Sequence, residues 1–202
     1  MSEDIISKID WKDVHYRLAF HCAPVFSGIK VSNLMMVKTA ELFEIAAILK
    51  TTVFEMKILA MTGDTSSVLI YERSSLTEYL SRRSNRQFLR KTGYMCVWEE
   101  ADAVDLDLTL DQLSARYMQC LLLEEVFPHE IGLFLGYPLG DVGGFLRHGG
   151  KNYIFSGYWK VYTKPDKTRE LFRKFDMVTE EMVCSLAGGT PFTAALKGIG
   201  IA

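Results

Sequence analysis

Glycines are concentrated in one part of this 202-residue chain: eight of its 15 glycines fall between Gly132 and Gly157. Crowding of this kind indicates turns with positive φ or a backbone that another group approaches closely. The surrounding segment, Phe127 to Tyr162, therefore predicts a binding site. A second interpretation is equally open, because a strand, a tight turn and a short helix can need this many glycines for packing alone.

Length and composition are those of one globular domain. A hydrophobic share of 49% allows a single buried core, and the net charge of -2 provides no overall field that would attract nucleic acid or an anionic membrane. The N-terminus lacks the pattern of a signal peptide, and no apolar run approaches the ~18 residues of a membrane span. We therefore expect a cytoplasmic protein with a small-molecule partner, and no nucleic-acid or membrane partner; its oligomeric state is unknown.

The four cysteines, Cys22, Cys96, Cys120 and Cys184, are far apart and form no CxxC pair. This spacing disfavours both a zinc module and a disulfide framework, so reduced thiols are expected. The nucleotide-binding fingerprints GxGxxG and GxxxxGK[ST] and the catalytic motifs HExxH and GxSxG do not occur. Any cofactor is therefore unknown, and no metal site is predicted.

The first half of the chain predicts helices around a hairpin. Asp10 is expected to cap a helix that Pro24 ends, because proline disfavours helical geometry in the residue before it. A loop follows to Asn33, and the apolar spacing within Thr39 to Lys50 predicts a second helix. Two strands, Val53 to Met61 and Ser67 to Glu72, are expected to pair as a β-hairpin.

The second half of the chain also predicts both helices and strands. Helices are predicted after Ser74 and after Thr109, the apolar run Ile131 to Gly136 predicts a covered strand, and Asp141 is expected to cap a short helix. Tyr153 to Thr163 predicts a strand and Leu171 to Met182 a last long helix. The expected fold is α/β of the mixed α+β type, with a small sheet of about four to five strands. Residues 1–186 would form a single domain and residues 187–202 a mobile tail.

Three sequence blocks carry a resemblance to a known family. The blocks read LAFHCAP with GIK and SNL, PHEIG with FLGYP and DV, and GYWKVY, and they run from about Leu18 to the aromatic strand that ends at Tyr162. The chain resembles the uncharacterised bacterial family called domain of unknown function 3793, over nearly its whole length. The resemblance implies a small single-domain cytosolic protein, and it implies no established activity.

Cys22 is the first candidate for chemistry. It is predicted near a helix end with Lys30 following, so a positive neighbour would favour its thiolate. His129 is the better candidate base than the adjacent His21, because neighbouring helix residues point about 100° apart. The alternative is an inert, buried cysteine on the apolar stripe of the helix.

The remaining candidates would complete one shared cleft. His129 and Glu130 could supply an acid and a base, or, with Cys22 and His21, a metal set that no spacing rule supports. Polar residues bracketed by Pro and Gly favour convergence of the two segments, because burying them singly would cost ~1–3 kcal/mol each. The predicted catalytic residues are Cys22, His129 and Glu130, and the predicted substrate-binding residues are His21, Lys30, Ser32, Asn33, Tyr137, Tyr158 and Lys160.

Two functions therefore stay open. One is a small-molecule enzyme that uses Cys22 and His129, with Lys30 or Lys160 holding an anionic substrate. The other is a non-catalytic module that binds a small molecule or a protein. Arg82, Arg86 and Arg90 are four residues apart and could bind phosphate or nucleic acid. Because the net charge is -2, a solvent-exposed basic face of a helix is the better explanation.

Overall fold

A three-stranded antiparallel sheet lies at the centre of the computed structural model, which describes residues 6–95, 103–123 and 126–200. Its strands are β1 (Ser32–Lys38), β2 (Phe54–Thr62) and β3 (Thr65–Glu72), in the order β1-β3-β2. Gly63, at a φ of +58°, and Asp64 connect β2 to β3. The predicted hairpin is confirmed, with a shorter turn than the sequence suggested.

The central strand β3 is buried on both faces, and its side chains alternate between two hydrophobic clusters. Val68 and Ile70 belong to one cluster, whereas Leu69 and Tyr71 belong to the other. Each face of the sheet is therefore covered by a layer of helices, which explains why β3 lacks exposed positions in its middle.

The first helical layer covers the Val68 face. It contains α1 (Val14–Phe26), a short 3-10 turn (Thr39–Glu41) leading into α2 (Leu42–Leu49), and the C-terminal helices α8 (Pro165–Ala187) and α9 (Phe192–Ile199). The second layer covers the Leu69 face with α3 (Arg73–Ser81), α4 (Arg83–Lys91), α5 (Leu106–Leu123) and the single-turn helix α6 (Ile131–Phe134).

The rest of the glycine-rich segment forms a third unit beside the sheet. Helix α7 (Leu139–His148) is followed by a small hairpin of β4 (Phe155–Ser156) and β5 (Lys160–Val161). Trp159 and Val161 of this hairpin pack on Phe172 and Phe175 of α8, whose later turns belong to the first layer. The long helix α8 thus joins this unit to the sheet in a single domain.

The mixed α+β prediction is confirmed, and the described residues contain five strands. These strands divide between a three-stranded and a two-stranded antiparallel sheet. Ile131 to Gly136, predicted as a strand, is instead the helix α6 and its end. A short apolar run cannot distinguish a buried strand from a buried helical turn, and Gly136 ends the turn at a φ of +76°.

Pro24 does not end α1, contrary to the prediction. The helix continues to Phe26, and Pro24, Val25 and Phe26 are all buried. The carbonyl of Pro24 accepts hydrogen bonds from the backbone N of Lys30 at 2.9 Å and from Ser27 Oγ at 3.2 Å. Burial of this last turn outweighs the loss of one helical hydrogen bond near the helix end.

Part of the segment predicted to be a mobile tail, residues 187–202, forms a helix, and residues 201–202 lie outside the described residues. Residues 192–199 form α9, and Phe192, Ala195 and Leu196 are buried in the first layer. The many small residues here weakened the apolar pattern of the sequence. Alanine is nevertheless often buried, as Ala195 is in this helix. Among the described helices, none is both long enough and apolar enough to cross a membrane.

Candidate functional site

The glycine-rich segment packs so closely that two of its glycines have no room for a side chain. A Cβ on Gly144 would lie 2.5 Å from Cγ of Tyr162, and one on Gly157 would overlap the ring of Phe172. Non-bonded carbon atoms do not approach to such distances. The packing interpretation therefore explains these two glycines, which let the β4–β5 hairpin lie against α7 and α8.

This packing leaves a cavity of about 330 Å³ between α6, α7 and the β4–β5 hairpin. Its volume is within the range of small-ligand sites. The ring of Tyr137 stacks on Trp159, with centroids 4.6 Å apart and planes 25° apart, and forms part of the wall. Five aromatic side chains line the cavity: Phe127, Tyr137, Phe145, Tyr158 and Trp159.

Lys160 supplies a positive charge to this aromatic wall. Its Nζ donates a hydrogen bond to the carbonyl of Gly150 at 2.8 Å. The same atom lies 5.1 Å from the ring centroid of Tyr153 and 5.7 Å from that of Phe145. An ammonium group has three donors, and among the described residues Lys160 donates one hydrogen bond, to Gly150, so two N–H groups remain for a ligand.

His129 and Glu130 are adjacent in sequence, but their side chains have different surroundings. His129 lines the cavity and packs against the ring of Phe145, with centroids 4.7 Å apart. The buried Glu130 carboxylate instead accepts hydrogen bonds from Arg116 Nη1 at 2.6 Å and from the Tyr94 hydroxyl at 3.5 Å. Glu130 is thus held in an ion pair within the second layer, and the structure does not combine it with His129 as an acid–base pair.

Asp141 is a key residue of the site that the sequence interpretation placed wrongly. Helix α7 begins before it, so Asp141 is not the helix cap, and its side chain is buried. One carboxylate oxygen accepts from the backbone N of Tyr162 and from both the backbone N and Oγ1 of Thr163, at 2.7 to 2.9 Å. The other accepts from Trp159 Nε1 at 2.8 Å. An acidic residue inside an apolar, glycine-rich stretch is a signal for such a network, because a buried carboxylate needs several donors.

Cys22 lies fully buried on α1, in the first helical layer. Burial raises the pKa of its thiol to about 12, and the opposing effect of the Lys30 charge is smaller. The thiolate is therefore disfavoured at neutral pH, which supports the inert, buried cysteine rather than an activated nucleophile.

Lys30 lies beside Cys22 and is itself almost completely buried. The backbone N of Lys30 donates to the carbonyl of Pro24, which folds the loop back onto α1. Its Nζ donates to Asn33 Oδ1 and lies 5.7 Å from the ring centroid of Tyr137. Burial lowers the pKa of Lys30 to about 8. The pKa of His21 is also lowered, first by desolvation of its ring and then by the charges of Arg17 and Lys30, although the residue as a whole is exposed.

The two predicted blocks meet where β1 begins. Ser32 Oγ donates to the carbonyl of Phe134 at 2.6 Å, and Tyr137 contacts Lys30 while also lining the cavity. Tyr158 lines the cavity too, but its hydroxyl donates to Asp176 Oδ1 at 2.9 Å. No contact among the described residues joins His129 to Cys22, so one ligand shared by these two residues stays a prediction.

The arginines of α3 and α4 do not form one helical face. Arg82 separates the two helices, where it stacks over the ring of Tyr79 at 5.0 Å and lies 3.9 Å from Glu78 Oε1. Within the described ranges, no group of three or more His, Cys, Asp or Glu side chains is placed to hold a metal ion.

Comparison with known proteins identifies one family. The family described as "Protein of unknown function (DUF3793)" matches residues 18–195, which confirms the resemblance carried by the three sequence blocks. The comparisons with curated proteins and with solved structures gave no match.

Proposed function

We propose a function for this chain, which belongs to the protein family of unknown function DUF3793, from the geometry of its cavity. The protein binds a small, planar, anionic molecule between α6, α7 and the β4–β5 hairpin. The observation that carries this proposal is a cavity whose wall combines five aromatic side chains with one lysine and one histidine.

The aromatic wall favours a flat, apolar body for the ligand. The stacked pair Tyr137 and Trp159 offers an extended ring surface, and the ring of Phe145, packed against His129, lines the same cavity. Aromatic rings gain about 0.5–1.5 kcal/mol per pair beyond the burial of their area. A planar, conjugated molecule can stack on these rings over its whole face, whereas a sugar or a flexible chain cannot.

The charge of the site favours an anion. The carboxylate of Asp141 also borders the cavity, but four hydrogen bonds hold both of its oxygens. Lys160 in contrast has donors left beyond its bond to Gly150. A carboxylate on the ligand would accept a charge-assisted hydrogen bond from Lys160, and His129 offers a further donor.

A second cavity is less suited to this role although it is somewhat larger, at about 420 Å³. It lies between the end of α2, the start of β2 and α9, and its lysines, Lys50 and Lys197, are exposed. Phe54 is its single aromatic wall residue. Exposed charges are screened by water and salt, so this surface provides weaker discrimination among ligands.

Binding rather than thiol catalysis is the better supported of the two functions. An enzyme that used Cys22 would need its thiolate, and burial opposes ionisation of that thiol. Our proposal includes a cytoplasmic location and a small-molecule partner in place of nucleic acid or a membrane. It is supported by the balanced composition, with 23 basic and 25 acidic side chains.

The test uses 1-naphthoate as a planar aromatic anion and 1-naphthalenemethanol as its uncharged counterpart. Isothermal titration should show saturable binding of the naphthoate, and weaker binding of the alcohol. Lys160→Met removes the charge but keeps an apolar stem of similar length, so we expect about a tenfold loss of naphthoate affinity, as for a charged hydrogen bond of ~1.5 kcal/mol or more.

The matched control is Lys151→Met, which removes an exposed lysine that is not part of the cavity wall. Its affinity for naphthoate should equal that of the unmodified protein. Equal losses in the two lysine variants would show that the charge of Lys160 does not act at the site. An absence of saturable naphthoate binding would contradict the proposed ligand class.

A further inference from the structure

We propose that the second cavity is a separate binding site for an aliphatic chain with an anionic head group, the chemical class of fatty acids and alkyl phosphates. This cavity, of about 420 Å³, lies between the end of α2, the start of β2 and α9. It shares no described wall residue with the aromatic cavity, so this inference does not depend on the planar ligand proposed there.

Two lysines from different elements give the second cavity a cationic rim. Lys50 directly follows α2, whereas Lys197 lies in the last turn of α9. Within the part of the chain that the structure describes, neither lysine forms an ion pair or a side-chain hydrogen bond. The described wall contains no aspartate or glutamate either. The rim therefore attracts an anion, and no carboxylate of the described wall takes its place.

Thr193 adds an uncharged donor to this rim. Its hydroxyl has no hydrogen-bond partner among the described residues. The other two threonines of the wall use their protons within the protein. Thr52 Oγ1 donates to the carbonyl of Leu49 at 2.7 Å, and Thr51 Oγ1 donates to a carbonyl of α2 at 3.1 Å. Of these three hydroxyls, that of Thr193 is therefore the one that can donate to a ligand oxygen.

Apolar side chains form the rest of the second cavity. Phe54 and Leu196 are buried, and Val53 lines the cavity with half of its surface exposed. The ring of Phe54 packs against that of Phe26, with centroids 4.8 Å apart. One ring offers far less stacking surface than the five of the aromatic cavity, whereas burial of a hydrocarbon chain needs only apolar area. This wall therefore favours an aliphatic body over a planar one.

A smaller cavity of about 270 Å³ continues this apolar surface along α2 and β2, and we call it the aliphatic groove. It shares two residues with the second cavity, Lys50 and Phe54, and its other wall residues are Ala46, Leu49, Glu55 and Met56. The Glu55 carboxylate accepts hydrogen bonds from Arg73 at 2.8 and 2.9 Å, so its charge is paired. A head group at the two lysines thus leaves room for a tail that passes Phe54 into the aliphatic groove.

Isothermal titration with octanoate tests this site, with 1-octanol as the uncharged counterpart and butyrate as the counterpart with a short tail. We expect saturable binding of octanoate and weaker binding of octanol. Butyrate lacks four methylenes, so its affinity should be lower by more than about tenfold, since one fully buried methylene contributes a factor of about four. Octyl phosphate should bind at least as tightly as octanoate, because its head offers more oxygens to the two lysines and Thr193.

Lys50→Met and Lys197→Met each remove one charge of the rim and keep a side chain of similar length. Each should weaken octanoate binding about twofold to fivefold, as for an exposed ion pair, and the double variant about tenfold. Thr193→Val removes the hydroxyl with little change of shape and should weaken binding about twofold or more. The matched control is Lys12→Met, at an exposed lysine outside both cavities, which should leave the octanoate affinity unchanged. Circular dichroism checks that the variants are folded.

Equal octanoate affinities in the double lysine variant and in Lys12→Met would overturn the proposal. So would octanol or butyrate binding as tightly as octanoate, because the site would then not recognise the head or the tail. An absence of saturable octanoate binding would overturn it as well. Excess 1-naphthoate should leave the octanoate affinity unchanged, and displacement of octanoate by naphthoate would contradict two separate sites. Because each ligand is titrated by itself, the two proposals fail or succeed separately.

Discussion

The thiol of Cys22 on α1 and the amine of Lys30 in the loop after α1 are both buried, and the protein interior acts on their pKa values in opposite directions. Burial favours the uncharged form of each group, so it lowers the pKa of Lys30 to about 8 and raises that of Cys22 to about 12. Near neutral pH, burial therefore increases the neutral fraction of the Lys30 amine and decreases the thiolate fraction of Cys22. Both effects follow from burial alone and need no special catalytic geometry.

The same shift predicts how stability depends on pH. Lys30 has a pKa of about 8 in the folded chain against 10.5 for the free side chain, so between these values the unfolded chain binds more protons. The free energy of unfolding should therefore rise with pH through this window. Below the window, the folded chain carries the full cost of burying the charged amine. Lys30→Met removes the cost, which predicts a gain of about 3 kcal/mol near neutral pH.

Urea denaturation of the unmodified protein and of Lys30→Met, from about pH 7 to about pH 9, measures this effect, and the stability difference between them should shrink by about 1 kcal/mol. The exposed Lys12→Met is the matched control and should show a constant difference from the unmodified protein. Parallel profiles for the unmodified protein and Lys30→Met would show that Lys30 keeps an ordinary pKa in the fold.

Sequence patterns located the polar residues of the candidate site better than they assigned their roles. Lys160, His129 and Tyr137 line one cavity, and their roles there stay predictions. Asp141 was wrongly predicted as a helix cap, because its partner Thr163 comes from a distant position, whereas the catalytic role of Glu130, which pairs with Arg116, stays a prediction. Periodicity does not encode which distant donor a carboxylate will meet.

Helix α7 gives an element-scale example of what the glycines do. Two adjacent glycines in its middle, Gly143 and Gly144, have opposite surroundings: a Cβ on Gly143 would meet open space, whereas one on Gly144 would meet the Tyr162 side chain at 2.5 Å. The helix packs its Gly144 face against Tyr162, which directly follows β5. That contact holds the β4–β5 hairpin close to α7.

These neighbours form a matched pair for mutation. Gly144→Ala should lower the free energy of unfolding by about 1–3 kcal/mol, because the methyl group must displace Tyr162. Gly143→Ala should raise it by about 0.4–1 kcal/mol, since alanine reduces the freedom of the unfolded chain and favours the helix. Urea denaturation provides both values, and a stabilising Gly144→Ala would contradict the packing described for α7.

Element boundaries show where sequence reasoning met its physical limit. The hairpin of β2 and β3 and the helix at Leu42–Leu49 follow from local pattern and were predicted. The path of the chain through Pro24 and the helical turn at Ile131–Phe134 depend on burial against the rest of the molecule. Tertiary packing there outweighs the local preference of proline against a helix interior and the strand preference of a short apolar run.

At the scale of the whole molecule, the three-stranded sheet is the scaffold and the glycine-rich unit is the functional addition. Two helical layers bury β3 from both sides, while the unit of α7 and the small hairpin lies on α8 through Trp159, Phe172 and Phe175. The strands predicted at Val53 to Met61 and Ser67 to Glu72 form the hairpin of this sheet, but the sequence did not show that the five strands divide between two sheets. A Cβ on Gly157 would overlap the ring of Phe172, so a glycine at this position lets the small hairpin pack on α8.

The most direct test of the proposed function is a two-dimensional ¹H–¹⁵N NMR titration with 1-naphthoate. Trp159 lines the cavity, and its indole N–H donates to Asp141. Trp11 packs on Phe20 of α1 and does not line the cavity. We expect the signals of Trp159, Gly132 and Lys160 to shift together with one dissociation constant, and the Trp11 indole signal to stay in place. Unchanged Trp159 and Lys160 signals, with shifts instead around Lys50 and Lys197 or nowhere, would contradict a ligand site in the aromatic cavity.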